Sequence, residues 1–474
     1  MPPSKSRDAA ETGANGAPGK GDRELAVLVA VQLPGVTDED QASDLAELGR
    51  LTHTLGFDVA ATVVQKREAL AAAAVLGEGK LKELADLTGG KGVIPSGAPE
   101  VKSKARAKWA EKGAAGKGGG EEDEAEEGEG GAPRRPSVVV VDHEISPSQA
   151  RNLEKATGAR VLDRTGVIVD IFHKHARSRE ARLEVEIARL TYVAPRLRES
   201  PGGKERQRGR GAGEAAVELD RRKIRDRIAE LREQLAAIQK EQESRRQARR
   251  DQLRVALVGY TNAGKSSLMR ALTGSQVLVE DKLFATLDTT VRALQPETKP
   301  RILVSDTVGF IKKLPHDLVA SFRSTLAEAL EASLLLYVVD AADPAHGAQL
   351  EVTRQVLREI GADAVPSRLV LNKVDRVDDA GRAALEREFA GEAPLVVSAH
   401  DPSGVARVRA EITAFFEAAM VEEQILVPYA KQGLLGDVYE NTRVVAESYD
   451  EAGTHLTIRG LPAAVARLRR AFQA

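Results

Sequence analysis

Short apolar runs alternate with amphipathic segments along most of the chain, a pattern typical of α/β proteins. Residues 255–258 are all apolar, which predicts a strand buried on both faces of a parallel sheet. Near the amino end, residues 44–54 have the apolar spacing of a helix and lie between two strand-like runs, 25–31 and 59–64. The sequence therefore predicts the α/β fold class, beginning with a small α/β domain.

Two segments lack the apolar positions that a core requires. Residues 1–23 are rich in Ser, Gly, Lys and Ala, and residues from about 97 to 136 are rich in Gly, Lys and Glu, with seven acidic residues between 121 and 129. Such segments cannot bury enough apolar area to offset the entropy of ordering. We therefore expect a disordered tail and a disordered insertion. An acidic mimic of RNA is the alternative for the insertion.

The α/β alternation resumes after the insertion and leads to a long helix. Residues 138–142 predict a strand, 147–157 a helix, and an apolar run follows from 159 to 170. Farther along, apolar residues recur at 4-3-4-3 spacing on one helical seam: Ile224, Ile228, Leu231, Leu235 and Ile238. The simplest partner for this seam is the segment 180–190, which would make a helical hairpin. A homodimeric coiled coil is the alternative.

The charge of the long helical segment differs from that of the whole chain. The 474 residues carry a formal net charge of −2, whereas residues 196–254 contain 18 Lys and Arg against 11 Asp and Glu. This local excess predicts contacts with RNA phosphates, for which we select Arg221, Arg222 and Arg225. Aromatic residues make up only 3% of the chain, so recognition of folded RNA fits better than stacking on single-stranded bases.

Composition also bears on the cellular compartment of the protein. The chain has no Cys, which excludes a disulfide framework and a thiolate metal site. No apolar run approaches the ~20 residues that span a bilayer, so no transmembrane segment is predicted. We expect a cytoplasmic protein that is a monomer in solution, with peripheral association with a membrane left open.

The segment Gly259-Tyr-Thr-Asn-Ala-Gly264-Lys265-Ser266-Ser267 fits the phosphate-binding motif G-x-x-x-x-G-K-[ST] between a strand and a helix. Backbone N–H groups of such a loop surround the phosphates, and Lys265 would reach the β- and γ-phosphates. The hydroxyl of Ser266 would ligate Mg²⁺. The chain is therefore predicted to bind a nucleoside triphosphate.

Three further motifs complete the predicted site, and two of them select the base of the nucleotide. Asp306-Thr307-Val308-Gly309 ends a buried strand with D-x-x-G, where the aspartate holds Mg²⁺ through water and the glycine N–H meets the γ-phosphate. Asn372-Lys373-Val374-Asp375 is an N-K-x-D motif whose last carboxylate can accept two hydrogen bonds from guanine but not from adenine. Ser398-Ala399-His400 matches the loop that meets the guanine oxygen. The four motifs resemble the translation-factor class of GTPases, so GTP and GDP are the expected ligands.

Longer stretches carry a narrower resemblance. They include Asp163-Arg164-Thr165-Gly166, the segment from Glu218 to Arg225, and Asp306-Thr-Val-Gly-Phe310-Ile311. On these stretches the chain resembles the HflX family, the ribosome-associated members of the Obg-HflX group, over about residues 24–474 apart from the insertion. The resemblance implies GTP hydrolysis, binding to the large ribosomal subunit and its RNA, and splitting of stalled or idle ribosomes into subunits.

Two other functions stay open at this point. One is a ribosome-assembly GTPase, and the other is a GTP-dependent regulatory switch for a protein effector such as a membrane protease. All three use the same nucleotide chemistry, so the motifs do not distinguish them.

The catalytic machinery is predicted to be incomplete. Thr286 resembles the switch I threonine of the Obg and HflX GTPases and would ligate Mg²⁺, with Thr289 and Thr290 as alternatives. Phe310 stands where many GTPases have a water-orienting glutamine, which predicts slow basal hydrolysis. The family resemblance implies that the ribosome stimulates it. Asn262 either ligates a K⁺ ion that supplies positive charge or simply stabilises the loop through its own hydrogen bonds.

The site residues fall into overlapping sets. We predict Lys265, Thr286 and Gly309 to act in catalysis, and Ser266 and Thr286 to ligate Mg²⁺. The nucleotide-binding set is Gly259, Tyr260, Thr261, Asn262, Ala263, Gly264, Lys265, Ser266, Ser267, Phe284, Ala285, Thr286, Asp306, Thr307, Val308, Gly309, Asn372, Lys373, Val374, Asp375, Ser398, Ala399 and His400.

The predicted architecture is a P-loop GTPase domain between two smaller parts. A small α/β domain with a long helical hairpin precedes it. A small α+β module follows it, with strands near 425–429, 444–449 and 454–459 and a short helix over 431–441. The predicted boundaries are a tail at 1–23, the first domain at 24–195, the Gly/Arg loop and basic helix at 196–253, the GTPase domain at 254–421, and the last module at 422–474.

Overall fold

The computed structural model describes residues 23–94, 134–197, 212–247, 252–275, 283–284, 289–313 and 326–473. The chain divides into two compact units, one ending at Arg164 and the other beginning at Thr165. The tail predicted to be disordered lies outside the described residues except for its last position, and so does the predicted insertion except for residues 134–136.

The first unit is built on a parallel sheet of four strands in the order β2-β1-β3-β4. The strands are β1 (Leu25–Gln32), β2 (Asp58–Lys66), β3 (Val138–Val141) and β4 (Arg160–Asp163). The helices are α1 (Asp38–Leu55), α2 (Glu78–Thr88) and α3 (Pro147–Thr157). Strands β1 and β3 occupy the centre and are buried almost throughout, as their unbroken apolar runs predict.

Local signals fix the ends of α3. Ser146 accepts a hydrogen bond from the backbone N–H of Gln149, and the Gln149 side chain accepts one from the backbone N–H of Ser146. This reciprocal pair satisfies two donors that the first turn of a helix leaves open. The helix ends at Gly158, whose φ of 70° is the left-handed conformation that glycine adopts without strain.

A buried ion cluster fixes the D-R-T-G element in the first unit. Arg164 donates from Nη1 to Oδ1 of Asp142 at 2.8 Å and also pairs with the carboxylate of Glu47. All three side chains are at most 5% exposed. The apolar run at 159–170 therefore does not form one strand, because β4 ends at Asp163 and helix α4 (Arg164–His175) begins at the next residue.

The second unit contains the predicted helical hairpin, formed by α5 (Arg179–Val193) and the 36-residue α6 (Ala212–Gln247). Its apolar seam packs Leu183 and Ile187 against Leu231, which is 1% exposed. The flanking residues of the seam are Leu190, Ile228, Leu235 and Ile238. The hairpin prediction is thus confirmed within the described residues.

A sheet of six strands follows, in the order β10-β9-β8-β5-β7-β6. Its strands are β5 (Leu253–Val258), β6 (Thr290–Ala293), β7 (Ile302–Asp306), β8 (Leu334–Asp340), β9 (Ser367–Asn372) and β10 (Leu395–Val396). The helices of this region are α7 (Lys265–Thr273), α8 (Ala327–Leu330), α9 (His346–Ile360), α10 (Asp379–Glu388) and α11 (Pro402–Ala418). All neighbouring strands are parallel except β6, which is antiparallel to β7.

The carboxyl-terminal part is a three-stranded antiparallel sheet in the order β11-β13-β12. It comprises β11 (Val421–Pro428), β12 (Arg443–Tyr449), β13 (Gly453–Gly460), α12 (Leu435–Asn441) and α13 (Pro462–Gln473). The elements occur in the predicted order. The predicted helix over 431–441 begins only at Leu435, because a 3₁₀ helix covers Tyr429–Leu434.

Within the part of the chain that the structure describes, none of the helices combines the length and the apolar character needed to cross a bilayer.

We predict that Arg164→Ala destabilises the first unit by about 3–5 kcal/mol, because it leaves two buried carboxylates without their cation. The measurement is urea unfolding of the full chain combined with hydrogen exchange of the β3 amides. Arg151→Ala, an exposed position on α3, is the matched control and should change the free energy of unfolding by less than about 0.5 kcal/mol. Equal stability of the two variants would contradict the prediction.

Candidate functional site

The four predicted nucleotide-binding motifs converge at the carboxyl edge of the six-stranded sheet. Strands β5, β7, β8 and β9 run parallel, so the loops that follow them lie at the same edge. This edge is the usual place for ligands in open α/β sheets. The four motifs follow β5, β7, β9 and β10 in turn.

The loop between β5 and α7 has the backbone conformation that a phosphate cradle requires. Gly259, Asn262 and Gly264 have positive φ angles of 153°, 61° and 92°. Lys265 is 6% exposed, and its Nζ donates to the carbonyl oxygens of Gly259 at 3.1 Å and Tyr260 at 2.9 Å. The ammonium group is thus held over the loop by the loop's own backbone.

The electrostatic state of Lys265 reflects its burial. Loss of hydration lowers its pKa to about 8, although the nearby carboxylate of Asp306 acts in the opposite direction. An anionic phosphate beside Nζ would favour the charged form. The site therefore provides a buried cation whose charge is best satisfied by an anionic ligand.

Two oxygen ligands for a divalent cation meet at the start of α7. The hydroxyl of Ser266 donates to Oδ2 of Asp306 at 2.6 Å. A hydroxyl and a carboxylate are ligands of the type that Mg²⁺ prefers, so these residues fit the predicted ion. Ala285 and Thr286, predicted to complete the site, lie outside the described residues, whereas Phe284 lies within them.

The N-K-x-D motif is tied directly to the phosphate loop. Asn372 is 1% exposed, donates from Nδ2 to the carbonyl of Ala263 at 2.9 Å, and accepts from the backbone N–H of Ala399 at 3.0 Å. A hydrogen bond from Ser398 holds the pKa of Asp375 below its usual value. Asp375 is therefore ionised at neutral pH, as an acceptor of two guanine donors must be.

Asp340 also belongs to this region, although the sequence motifs do not include it. Nζ of Lys373 donates to Oδ2 of Asp340 at 2.7 Å and to the carbonyl of Asn262 at 2.6 Å. Lys373 itself has a left-handed backbone with φ of 64°. Asp340 holds this lysine at the edge of the site. The available signal was its place at the end of the apolar strand β8, the same position that Asp306 has in β7.

The D-x-x-G loop is hydrogen-bonded to the phosphate loop. The backbone N–H of Phe310 donates to the carbonyl of Gly259 at 3.1 Å, and the backbone N–H of Thr261 donates to the carbonyl of Phe310 at 2.8 Å. In addition, the backbone N–H of Lys312 donates to the hydroxyl of Tyr260 at 2.7 Å. These bonds hold Gly309 close to the loop.

The side chain of Phe310 takes no part in that site. It is 2% exposed and belongs to a hydrophobic cluster that includes Val258, Leu326 and Ala329. Its ring therefore stabilises the position of the loop backbone. This agrees with the prediction that Phe310 does not position water.

A second aromatic contact lies at switch I. The rings of Phe284 and Phe172 meet edge to face, with centroids 4.6 Å apart, and both are at most 3% exposed. Phe284 has a left-handed backbone with φ of 58°. Helix α4 thus contacts the segment that immediately precedes Ala285 and Thr286.

The other predicted residues have mainly backbone or structural contacts. Thr307 is buried and donates to the carbonyl of Leu257 at 2.7 Å. Val308 is also buried. The backbone N–H of His400 donates to Oγ of Ser398. Ser267 lies in the first turn of α7. The N–H of Val374 donates to the carbonyl of Val397 at 3.4 Å.

The predicted RNA-contacting arginines lie on the exposed surface of α6. Arg221, Arg222 and Arg225 are all exposed. Arg225 pairs with Glu218 at 2.6 Å, with side-chain exposures of 65% and 59%. An ion pair this exposed contributes little to the stability of the fold. Because all three arginine side chains are exposed, they are accessible to a partner.

Three family models match consecutive parts of the chain. The model described as GTP-binding GTPase N-terminal matches residues 42–94 and 105–173. GTP-binding GTPase Middle Region matches residues 175–249. The model described as 50S ribosome-binding GTPase matches residues 254–373.

Individual relatives match over nearly the whole chain. GTPase HflX of Gluconacetobacter diazotrophicus is 67% identical over 450 residues, which cover 95% of this chain and 98% of the relative. GTPase HflX of Magnetococcus marinus is 38% identical over 451 residues, 94% of each chain. A solved structure of a GTP-binding protein from Sulfolobus solfataricus in complex with GDP is 20% identical, with a TM-score of 0.42, and covers 83% of this chain and 99% of that one. On the strength of the sequence matches, the chain belongs to the HflX family of GTPases, and it binds and hydrolyses GTP.

Proposed function

We propose that this GTPase binds the large ribosomal subunit and splits stalled or idle ribosomes into subunits. The observation that carries the proposal is the match of residues 254–373 to the model described as 50S ribosome-binding GTPase. The exposed arginines of α6 support it, because a basic helix outside the nucleotide site offers contacts for RNA phosphates.

The nucleotide would control the affinity for the ribosome. With GTP and Mg²⁺ bound, the two switch segments, which contain Thr286 and Gly309, would be ordered. Hydrolysis would end this ordering. Lys265 and the Gly309 N–H would contact the γ-phosphate, and Ser266 and Thr286 would ligate Mg²⁺. Asp375 would select guanine, with Lys373 held in place by Asp340. Slow basal hydrolysis would keep the GTP-bound state long-lived until the ribosome accelerates hydrolysis.

The test of the function uses intact ribosomes and a non-hydrolysable GTP analogue. We expect conversion of whole ribosomes into separate subunits, with the protein on the large subunit, when the products are resolved by sedimentation. With GDP the ribosomes should stay intact. Binding to immature subunits alone would support the assembly GTPase instead, and no binding to ribosomes in either state would support the regulatory switch.

The first prediction concerns the base. Asp375→Asn should weaken GTP binding by about tenfold or more and improve binding of xanthosine triphosphate, because the new amide donates where the xanthine carbonyl accepts. Competition binding measures both affinities. Asp379→Asn, at a fully exposed position, is the charge-matched control. Unchanged base preference in Asp375→Asn would rule out this assignment.

The second prediction concerns RNA. Replacement of Arg221, Arg222 and Arg225 by glutamine should weaken ribosome binding and reduce its salt dependence, by up to roughly 0.9 in the log-log slope for each lost phosphate contact. Binding is measured by cosedimentation across a range of salt concentrations.

The control for this variant removes the same charge elsewhere. Arg467, Arg469 and Arg470 are exposed on α13, and their replacement by glutamine should leave the salt slope closer to that of the wild type. A triple variant of α6 with the wild-type slope would assign its arginines to structure.

The third prediction concerns K⁺. If Asn262 ligates a monovalent cation that supplies charge near the phosphates, ribosome-stimulated hydrolysis should be severalfold faster in K⁺ than in Na⁺ at equal ionic strength, and Asn262→Ser should abolish the difference. The left-handed backbone of Asn262 fits the alternative, a purely structural role in the loop. Equal wild-type rates in the two salts would eliminate the cation role.

A further inference from the structure

Hydrolysis in this protein needs a polar group that Phe310 does not supply. The ring of Phe310 lies in a hydrophobic cluster, and its backbone is hydrogen-bonded to Gly259 and Thr261. In GTPases with a glutamine at this position, that side chain orients the attacking water. Another polar side chain close to Gly309 is therefore required to act on the phosphate.

Thr261 has a buried hydroxyl in that region. The residue is 6% exposed, and among the residues that the structure describes its Oγ1 has no hydrogen-bond partner although it is shielded from solvent. A buried hydroxyl without a partner is unfavourable, and its persistence at a functional site is a sign that a ligand completes it. The backbone N–H of Thr261 is engaged with Phe310, so the hydroxyl is the donor of this residue that is left to bind a ligand.

The neighbours of Thr261 place this residue beside the groups expected at the γ-phosphate end of the site. A Cβ atom added to Gly309 would lie 2.8 Å from Cα of Thr261, 2.9 Å from its Cγ2 and 3.0 Å from Nζ of Lys265. Thr261 and the Nζ atom of Lys265 therefore both lie beside Gly309. Lysine of the phosphate loop and glycine of D-x-x-G are the groups that contact the γ-phosphate in this class of enzyme.

We propose that the hydroxyl of Thr261 donates a hydrogen bond to a γ-phosphate oxygen of GTP and acts as a catalytic side chain in place of the missing glutamine. The water oxygen forms its bond to the γ-phosphorus and its proton passes to a γ-phosphate oxygen, while the bond from that phosphorus to the β–γ bridging oxygen breaks and leaves GDP and inorganic phosphate. Thr261 keeps its proton and stabilises charge on the equatorial oxygens. The proposal rests on the proposed roles of Lys265 and Gly309.

The test uses two substitutions that separate the hydroxyl from the methyl group. Thr261→Val keeps the branched shape and removes the hydroxyl, whereas Thr261→Ser keeps the hydroxyl and removes the methyl group. We expect Thr261→Val to slow single-turnover GTP hydrolysis by about tenfold or more and to weaken binding of a non-hydrolysable GTP analogue, with GDP affinity unchanged. Thr261→Ser should retain most of the hydrolysis.

A matched substitution controls for the loss of a buried hydroxyl. Thr353 is 1% exposed in α9, and its hydroxyl donates to the carbonyl of Gln349 within the same helix. Thr353→Val should hydrolyse GTP at the wild-type rate. Hydrolysis by Thr261→Val at the wild-type rate, or equal losses in Thr261→Val and Thr261→Ser, would overturn the proposal.

A separate variant tests the roles on which the proposal depends. Lys265→Ala should lose affinity for both GTP and GDP. If Lys265→Ala binds and hydrolyses GTP normally, the phosphate site itself is wrongly assigned and the proposal falls with it. If Lys265→Ala loses nucleotide affinity while Thr261→Val hydrolyses GTP at the wild-type rate, the assignment of the phosphate site is supported. Only the role of Thr261 is then refuted.

Discussion

Three glycines in two loops at the carboxyl edge of the six-stranded sheet approach neighbouring atoms too closely for a side chain to fit between them. A Cβ atom on Gly259 would lie 2.2 Å from the carbonyl oxygen of Val338, and one on Gly264 would lie 2.2 Å from Nδ2 of Asn372. Gly309 approaches Thr261 in the same way. Glycine is the residue that permits such contacts. The geometry of the whole site depends on these approaches.

The close approaches let separate motifs behave as one framework. Asn372 bonds to the phosphate loop and to the S-A loop, and Lys373 bonds to the phosphate loop and to Asp340. The groups proposed to read the base and those proposed to hold the phosphates therefore share hydrogen bonds. A displacement of the phosphate loop would move Asn372 and Lys373 with it, so the two ends of the nucleotide are recognised by a common backbone scaffold.

The sequence predicts most of this fold because its signals are local. Apolar runs mark β1, β3 and β5, and the seam from Ile224 to Ile238 identifies the partner of α5. The order of the motifs also predicts the GTPase assignment, since each motif follows its own strand.

The remaining contacts join residues far apart in the chain, and no local spacing encodes them. Arg164 looks like part of a family motif, yet its partner Glu47 is 117 residues away. The contact of Phe172 with Phe284 likewise needs two segments that only the folded chain brings together. Lys373 lies in a recognised motif, but its bond to Asp340 depends on β8 and β9 being neighbours.

Helix α6 has a consequence of a different kind. At ~1.5 Å per residue its 36 residues extend over about 54 Å, and it ends at Gln247, shortly before β5 leads into the phosphate loop. Over that length, a tilt of about 5° at Gln247 would move the far end of the helix by ~5 Å.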